Sequence, residues 1–150
     1  MLMKKVASVF AVALIATATV FAGEVKLDGV KCVIAPKPAD ASKSADYKDA
    51  KVYFCCNGCA GKFAKDTEKF ATKANHQLVA TKQYEQKACP ISGRDLNPET
   101  ATEVNDVKVT FCCNGCKGKV EKAEGDAKVN LVFGEKSFAK AFKKTAEKSE

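Results

Sequence analysis

One stretch of this chain occurs twice, Phe54-Cys55-Cys56-Asn57-Gly58-Cys59 and Phe111-Cys112-Cys113-Asn114-Gly115-Cys116. Two further cysteines keep step with it. Cys32 precedes Cys55 by 23 positions and Cys89 precedes Cys112 by the same 23, so the eight cysteines form two sets of four, 57 residues apart. A period of that length is one small supersecondary unit. Two such units, with no tryptophan in either, have little apolar surface to bury, so bonds through the thiols have to supply stability that the core lacks.

The residues around each set repeat as well. Tyr47 to Phe54 reads as a β-hairpin with its turn at Lys48-Asp49, and Thr102 to Phe111 as a second with its turn at Asn105-Asp106. Helices follow the cysteine runs. The first places Ala60, Phe63, Ala64, Thr67 and Ala71 on one face, and the shorter second places Cys116, Val120 and Ala123 there before Gly125 stops it. Gln77 to Ala80 and Asn130 to Phe133 read as related strands, and Gly23 to Lys31 equally as a strand leading to Cys32 or as a loose new terminus. Val33 to Ser44, with Pro36 and Pro38, reads as a loop. Ser137 is placed to cap a closing helix whose apolar face is Phe138, Ala141, Phe142 and Thr145. The expected fold class is α+β: two tandem small repeats, each a β-hairpin followed by a helix around a cysteine cluster in the manner of treble-clef and zinc-ribbon folds, with a C-terminal amphipathic helix.

Residues 1–22 read as a signal peptide. Lys4 and Lys5 precede an apolar run, Val6 to Ala18, that is too short to span a bilayer, and Val20-Phe21-Ala22 offers small residues for cleavage before Gly23. The expected division is then 23–85 for the first repeat and 86–150 for the second with its closing helix. The implied location is periplasmic or secreted, with no stable membrane insertion after cleavage. The whole chain carries a net charge of +7, almost all of its positive charge lysine, with Arg94 the one arginine. Nucleic-acid sites use arginine forks and stacking aromatics on a basic face, so the expected partner is a metal ion and no nucleic acid.

At a helix start, Cys55 and Cys59 are one turn apart and Cys56 lies three residues before Cys59, so three thiols fall on one side. Cys32 comes in from the loop ahead of the hairpin. The first candidate ligand set is Cys32, Cys55, Cys56 and Cys59, and the second is Cys89, Cys112, Cys113 and Cys116. Helix N-terminal amides favour the thiolate that coordination needs. A set made wholly of sulfur selects zinc or another thiophilic metal such as copper, and excludes magnesium and calcium.

These residues resemble the YHS domain and its relative the TRASH domain, a family implicated in metal binding and in heavy-metal trafficking, resistance and sensing. The pattern there is a lone cysteine near a proline-containing loop, a hairpin, and an aromatic-Phe-Cys-Ser-x-x-Cys run opening a helix. Cys89-Pro90-Ile91-Ser92-Gly93, Asn97-Pro98 and Val109-Thr110-Phe111-Cys112-Cys113-Asn114-Gly115-Cys116 match it closely. In the first repeat Cys32 and Val52-Tyr53-Phe54-Cys55-Cys56-Asn57-Gly58-Cys59 match, whereas Val33 and Pro36 stand where the second has Pro90 and Gly93. The ligands that the resemblance implies are Cys32, Cys55 and Cys59, then Cys89, Cys112 and Cys116. Cys56 and Cys113 stand where the family usually has serine, able to add a fourth thiolate or to form a disulfide.

Two other readings start from the same cysteines. An exported scaffold or interaction module could be stapled by two disulfides per repeat without metal; the vicinal pairing Cys55 to Cys56 is strained, so Cys32 would bridge to one of the cluster. A thiol-disulfide oxidoreductase could use Cys56-Asn57-Gly58-Cys59, but the chain has no βαβ pattern and a redox pair leaves Cys32 and Cys55 unused. No catalytic residue is expected. His76 is the sole histidine and has no counterpart in the second repeat, Asp95 and Glu99 have no partner in sequence, and no nucleophile motif or phosphate loop occurs. The function expected is that of an exported, non-enzymatic metal-binding protein that handles zinc or a heavy metal.

Overall fold

The computed structural model describes residues 25–146; the expected signal peptide lies outside the described residues. Each half opens with a two-stranded antiparallel hairpin. β1 (Asp40–Tyr47) pairs with β2 (Ala50–Phe54), and β4 (Asn97–Val104) with β5 (Val107–Phe111). Both turns hold two residues in the left-handed region, Lys48 and Asp49 at φ 50° and 57°, Asn105 and Asp106 at 48° and 64°. Two consecutive left-handed residues match the twist of the flanking strands, which is why the link is this short. The hairpins share a register shift at the same place, between Asp40 and Ser44 and between Asn97 and Thr102. β1 thereby takes in Asp40 to Ser44, expected as loop. Those residues are mostly polar and exposed, and hydrogen bonding to β2 makes them a strand where no hydrophobic alternation exists.

The helices depart further from expectation. After the first cysteines, α1 (Asn57–Lys65) ends at Asp66, whose carboxylate accepts from the Lys69 amide and caps α2 (Thr67–Ala80). Gln77 to Ala80, expected as a strand, is the last turn of α2. The buried positions Ala71, Ala74 and Leu78 recur at helical spacing, a pattern that a four-residue window cannot show. In the second half, α3 (Asn114–Glu121) stops before Gly125, whose φ of 52° leads into α4 (Gly125–Phe133). Asn130 to Phe133 is therefore helix as well, with Val129, Val132 and Phe133 inward. Gly23 to Lys31 contributes no strand among its described residues, only a bridge from Lys31 to Pro38.

The closing helix, α5 (Glu135–Ala141), is capped by Gly134 rather than Ser137, and Phe142 leaves it for β6 (Phe142–Lys144). β6 pairs with β3 (Tyr84–Gln86), the short segment between the halves. Phe54, Phe63, Val52 and Leu78 from one half and Phe111, Val109, Val120, Val132 and Phe133 from the other belong to one core, with α2 packed on α4 and α5. No helix among the described residues is long and apolar enough to cross a membrane.

Candidate metal centres

Each hairpin ends by delivering a cysteine, each following helix supplies another in its first turn, and the loop ahead of each hairpin supplies a third. The sulfurs of Cys32, Cys55 and Cys59 all lie within 4.8 Å of one another, as do those of Cys89, Cys112 and Cys116. Cys55 and Cys59 are 3.8 Å apart and Cys112 and Cys116 3.6 Å. Metal–sulfur bonds of about 2.3 Å in a tetrahedron put sulfurs roughly 3.8 Å apart, so the donor spacing fits a metal ion in each triad. The helices start at Asn57 and Asn114, so Cys55 and Cys56, like Cys112 and Cys113, precede them rather than sharing a helical face. Cys55 and Cys112 enter the triads through the turn between strand and helix. Cys56 and Cys113 occupy the N-caps, 3.9 Å from Cys55 and 3.7 Å from Cys112, outside the triads.

The lone cysteines are held by their loops. The Cys32 amide donates to the Lys37 carbonyl at 2.8 Å and the Cys89 amide to the Arg94 carbonyl at 2.9 Å, closing equivalent turns. Both side chains are buried, Cys89 completely. Two glutamines, which the sequence pattern did not single out, lock these loops to the hairpins. The Gln77 amide group accepts from Tyr53 N at 2.7 Å and donates to Tyr53 O and to Lys31 O, both at 2.9 Å. Gln86 does the same for the second half, accepting from Thr110 N at 2.9 Å and donating to Thr110 O at 2.6 Å and Ala88 O at 3.0 Å. Tyr53 and Thr110 correspond at the 57-residue offset, as do Lys31 and Ala88, each just before its lone cysteine. The glutamines do not correspond: one comes from α2, the other from β3. No sequence signal at a fixed offset could have revealed them.

The thiols within a triad differ in acidity. Burial raises Cys32, but hydrogen bonds from the Ala35, Ile34 and Cys55 backbone outweigh it and leave the thiol below its ordinary value. Burial likewise raises Cys89, and the Ser92 hydroxyl and amide with the Cys112 and Ile91 amides more than offset it. Cys59 and Cys116 are pushed up to about 12, by burial first and then by the neighbouring cysteine side chains. One thiolate is thus favoured in the first triad, Cys32, and two in the second, Cys89 and Cys112, while Cys59 and Cys116 resist ionising beside them. A cation among the sulfurs removes that conflict, which is the electrostatic case for a metal. Among the described residues no histidine or carboxylate joins either triad. His76 lies elsewhere, its Nε2 2.8 Å from the Asn105 carbonyl and its ring edge-on to Phe133.

All eight cysteines are unbridged in this structure. No family model matches the chain, and no solved structure matches it. Among curated proteins it is similar to a biotin synthase of Nautilia profundicola, with 35% identity over 71 residues. The match takes in 46% of this chain, which spans 26% of that protein.

Proposed function

We propose that this chain is an exported metal-binding protein built of two YHS-like units in tandem, each holding one thiophilic ion, zinc or a soft ion such as copper, and that it handles metal rather than catalysing a reaction. The observation that carries the reading is the convergence of two all-sulfur triads, each assembled from a loop, a strand end and a helix start. Sulfur donors select soft or borderline ions. A metal at each triad would also tie its lone-cysteine loop to the hairpin and helix, adding stability to a small core. Synthesis of biotin is not proposed, since the chain spans 26% of the enzyme it resembles. Native mass spectrometry of the exported protein, kept non-reducing throughout, tests the reading. Two bound metal ions and eight cysteines in the reduced state are expected, whereas a metal-free chain lighter by the hydrogens of oxidised thiols would overturn it in favour of a disulfide scaffold.

A further inference from the structure

Cys56 and Cys113 are the two thiols that the triads leave out. Both sit at a helix N-cap with extended backbone, φ −161° and ψ 163° for Cys56, φ −162° and ψ 164° for Cys113. Serine, threonine, aspartate and asparagine are favoured there because a side-chain oxygen can accept from the first helical amides. Neither cysteine makes such a bond. Neither is a core residue, since Cys56 is exposed and Cys113 half-buried. The chain therefore places a thiol, in both halves, at a helix cap and outside the core, with its sulfur 3.9 Å from that of Cys55 or 3.7 Å from that of Cys112. That is about the sulfur–sulfur edge of a tetrahedral metal thiolate, roughly 3.8 Å.

We propose that Cys56 and Cys113 are exchange thiols, through which a thiophilic metal passes between the buried triad and an external thiol or chelating ligand. This rests on the reading of the triads as metal centres. Cys32 and Cys89 are buried, whereas Cys56 is exposed and Cys113 half-buried, so solvent reaches these two thiols more readily than the lone cysteines. On release, the metal bond to the Cys55 sulfur breaks and that thiolate takes up a proton, while the Cys56 thiol gives its proton to solvent and bonds the metal. The external ligand then displaces Cys56 and the remaining triad sulfurs in turn, each broken metal–sulfur bond returning a proton to its thiolate. The metal keeps its oxidation state, and loading is the reverse sequence. A ligand used only in passage lowers the barrier in both directions, so it changes rates and not their ratio.

The test uses the reduced full chain loaded with zinc, and follows transfer to a chromogenic zinc chelator by stopped flow. Cys56→Ser with Cys113→Ser is expected to slow both release and loading about tenfold or more, a barrier change read directly from the rates. Affinity, from equilibrium competition, should move by less than about threefold, well under one tenfold step. Alanine at both positions should slow transfer as serine does, since the missing thiol is what matters. Transfer at the unsubstituted rate would overturn the proposal. So would faster release with a matching loss of affinity, which would make these cysteines holding ligands. If the unsubstituted chain takes up no zinc, the proposed function itself fails; if it takes up zinc and the substitutions leave exchange alone, only the relay fails.

Discussion

The two halves present one sulfur geometry in two electrostatic settings. Ser92, 57 positions after Ala35, places its hydroxyl 3.1 Å from the Cys112 sulfur, and Arg94 takes the place of Lys37. Hydrogen bonding from Ser92, ahead of the opposing effect of burial, holds the Cys112 thiol below its ordinary value. Cys55, with alanine opposite, is raised by burial and by the Cys32 side chain. Charge on Cys112 raises the Arg94 guanidinium in turn. The loop backbones diverge for a related reason. Gly93 sits at φ 76° and donates its amide to Cys89 O at 2.7 Å, while Pro36 has neither that conformation nor an amide hydrogen, so Lys37 closes the first loop by donating to Ala35 O at 2.8 Å. A triad thus needs only the positions of three sulfurs, and the residues around it are free to tune it. The second centre is expected to be the tighter of the two.

Breaking each triad separately should have the largest effect. Cys32→Ser and Cys89→Ser are each expected to lower the zinc stoichiometry from two to one per chain and to depress the melting transition, because a structural zinc–thiolate site contributes on the order of 10 kcal/mol. Loss of both ions in either variant, by native mass spectrometry, would show that the halves do not load independently. Next come the glutamines. Gln77→Ala and Gln86→Ala should each cost about 1–3 kcal/mol in urea unfolding, since each leaves backbone groups unpaired. Gln77, the more buried, should cost more. Equal and negligible costs would remove the glutamine clamps from the account of how the lone cysteines are placed.

Exchanging the residues that differ sharpens the comparison of the centres. Ser92→Ala is expected to weaken zinc binding at the second centre by about tenfold, the lower end of what losing a hydrogen bond to a metal ligand does, and Ala35→Ser to strengthen the first. Competition titrations of the two variants check this. Unchanged affinities would place the difference between the centres elsewhere.

The smallest effects concern how the two hairpin turns are anchored. Lys48 pairs with Glu135 at 2.8 Å, and Tyr47 and Asn75 donate to the same carboxylate. The second turn is held by His76 on Asn105 O. Glu135 lies below its ordinary value, because hydrogen bonds from Lys48, Asn75 and Tyr47 outweigh burial. Its contribution is therefore present above the unfolded carboxylate value and lost as pH falls through the lower folded one. Burial lowers His76, against partial opposition from Asn105 O. That contribution is present above the ordinary histidine value of 6.5 and lost as pH falls below it. Acidification should therefore act first at His76, where burying a charged ring costs stability although its Nε2–H still donates to Asn105 O, and afterwards at the Lys48-Asp49 turn, as read by amide exchange. Glu135→Gln should flatten the acid limb by no more than about 1 kcal/mol, the pair being largely exposed. Simultaneous loosening would mean that the turns are not separately anchored.

The hairpins and the cysteine spacing were legible because their causes are local. Lys48-Asp49 and Asn105-Asp106 carry the turn, and Val52, Phe54, Val109 and Phe111 set the inward face within a few residues of it. Gln77 to Ala80 and Asn130 to Phe133 were misread because a run of four apolar and polar residues suits a buried strand and a helix turn alike. Here α2 and α4 pack on one another, and the longer spacing of Ala71, Ala74 and Leu78 decides the matter. The one helix expected through Ala60, Phe63, Ala64, Thr67 and Ala71 is two, because the Asp66 backbone and carboxylate end one and start the next. Ser92 and Arg94 were visible only as parts of a motif or of the charge count, since a hydrogen bond across 20 residues has no periodicity.

By itself the sequence determined that the eight thiols come in two equivalent sets and that each set is bound to a hairpin, because these follow from residue identity and short-range spacing. Tertiary structure decided that Cys56 and Cys113, grouped with the other six as candidate ligands, stand apart from the triads at the helix caps, and that β3 meets β6 to close the chain. Those outcomes depend on backbone hydrogen bonds between residues far apart in the chain and on side chains such as Gln77 and Gln86, which reach one equivalent place from two unrelated elements.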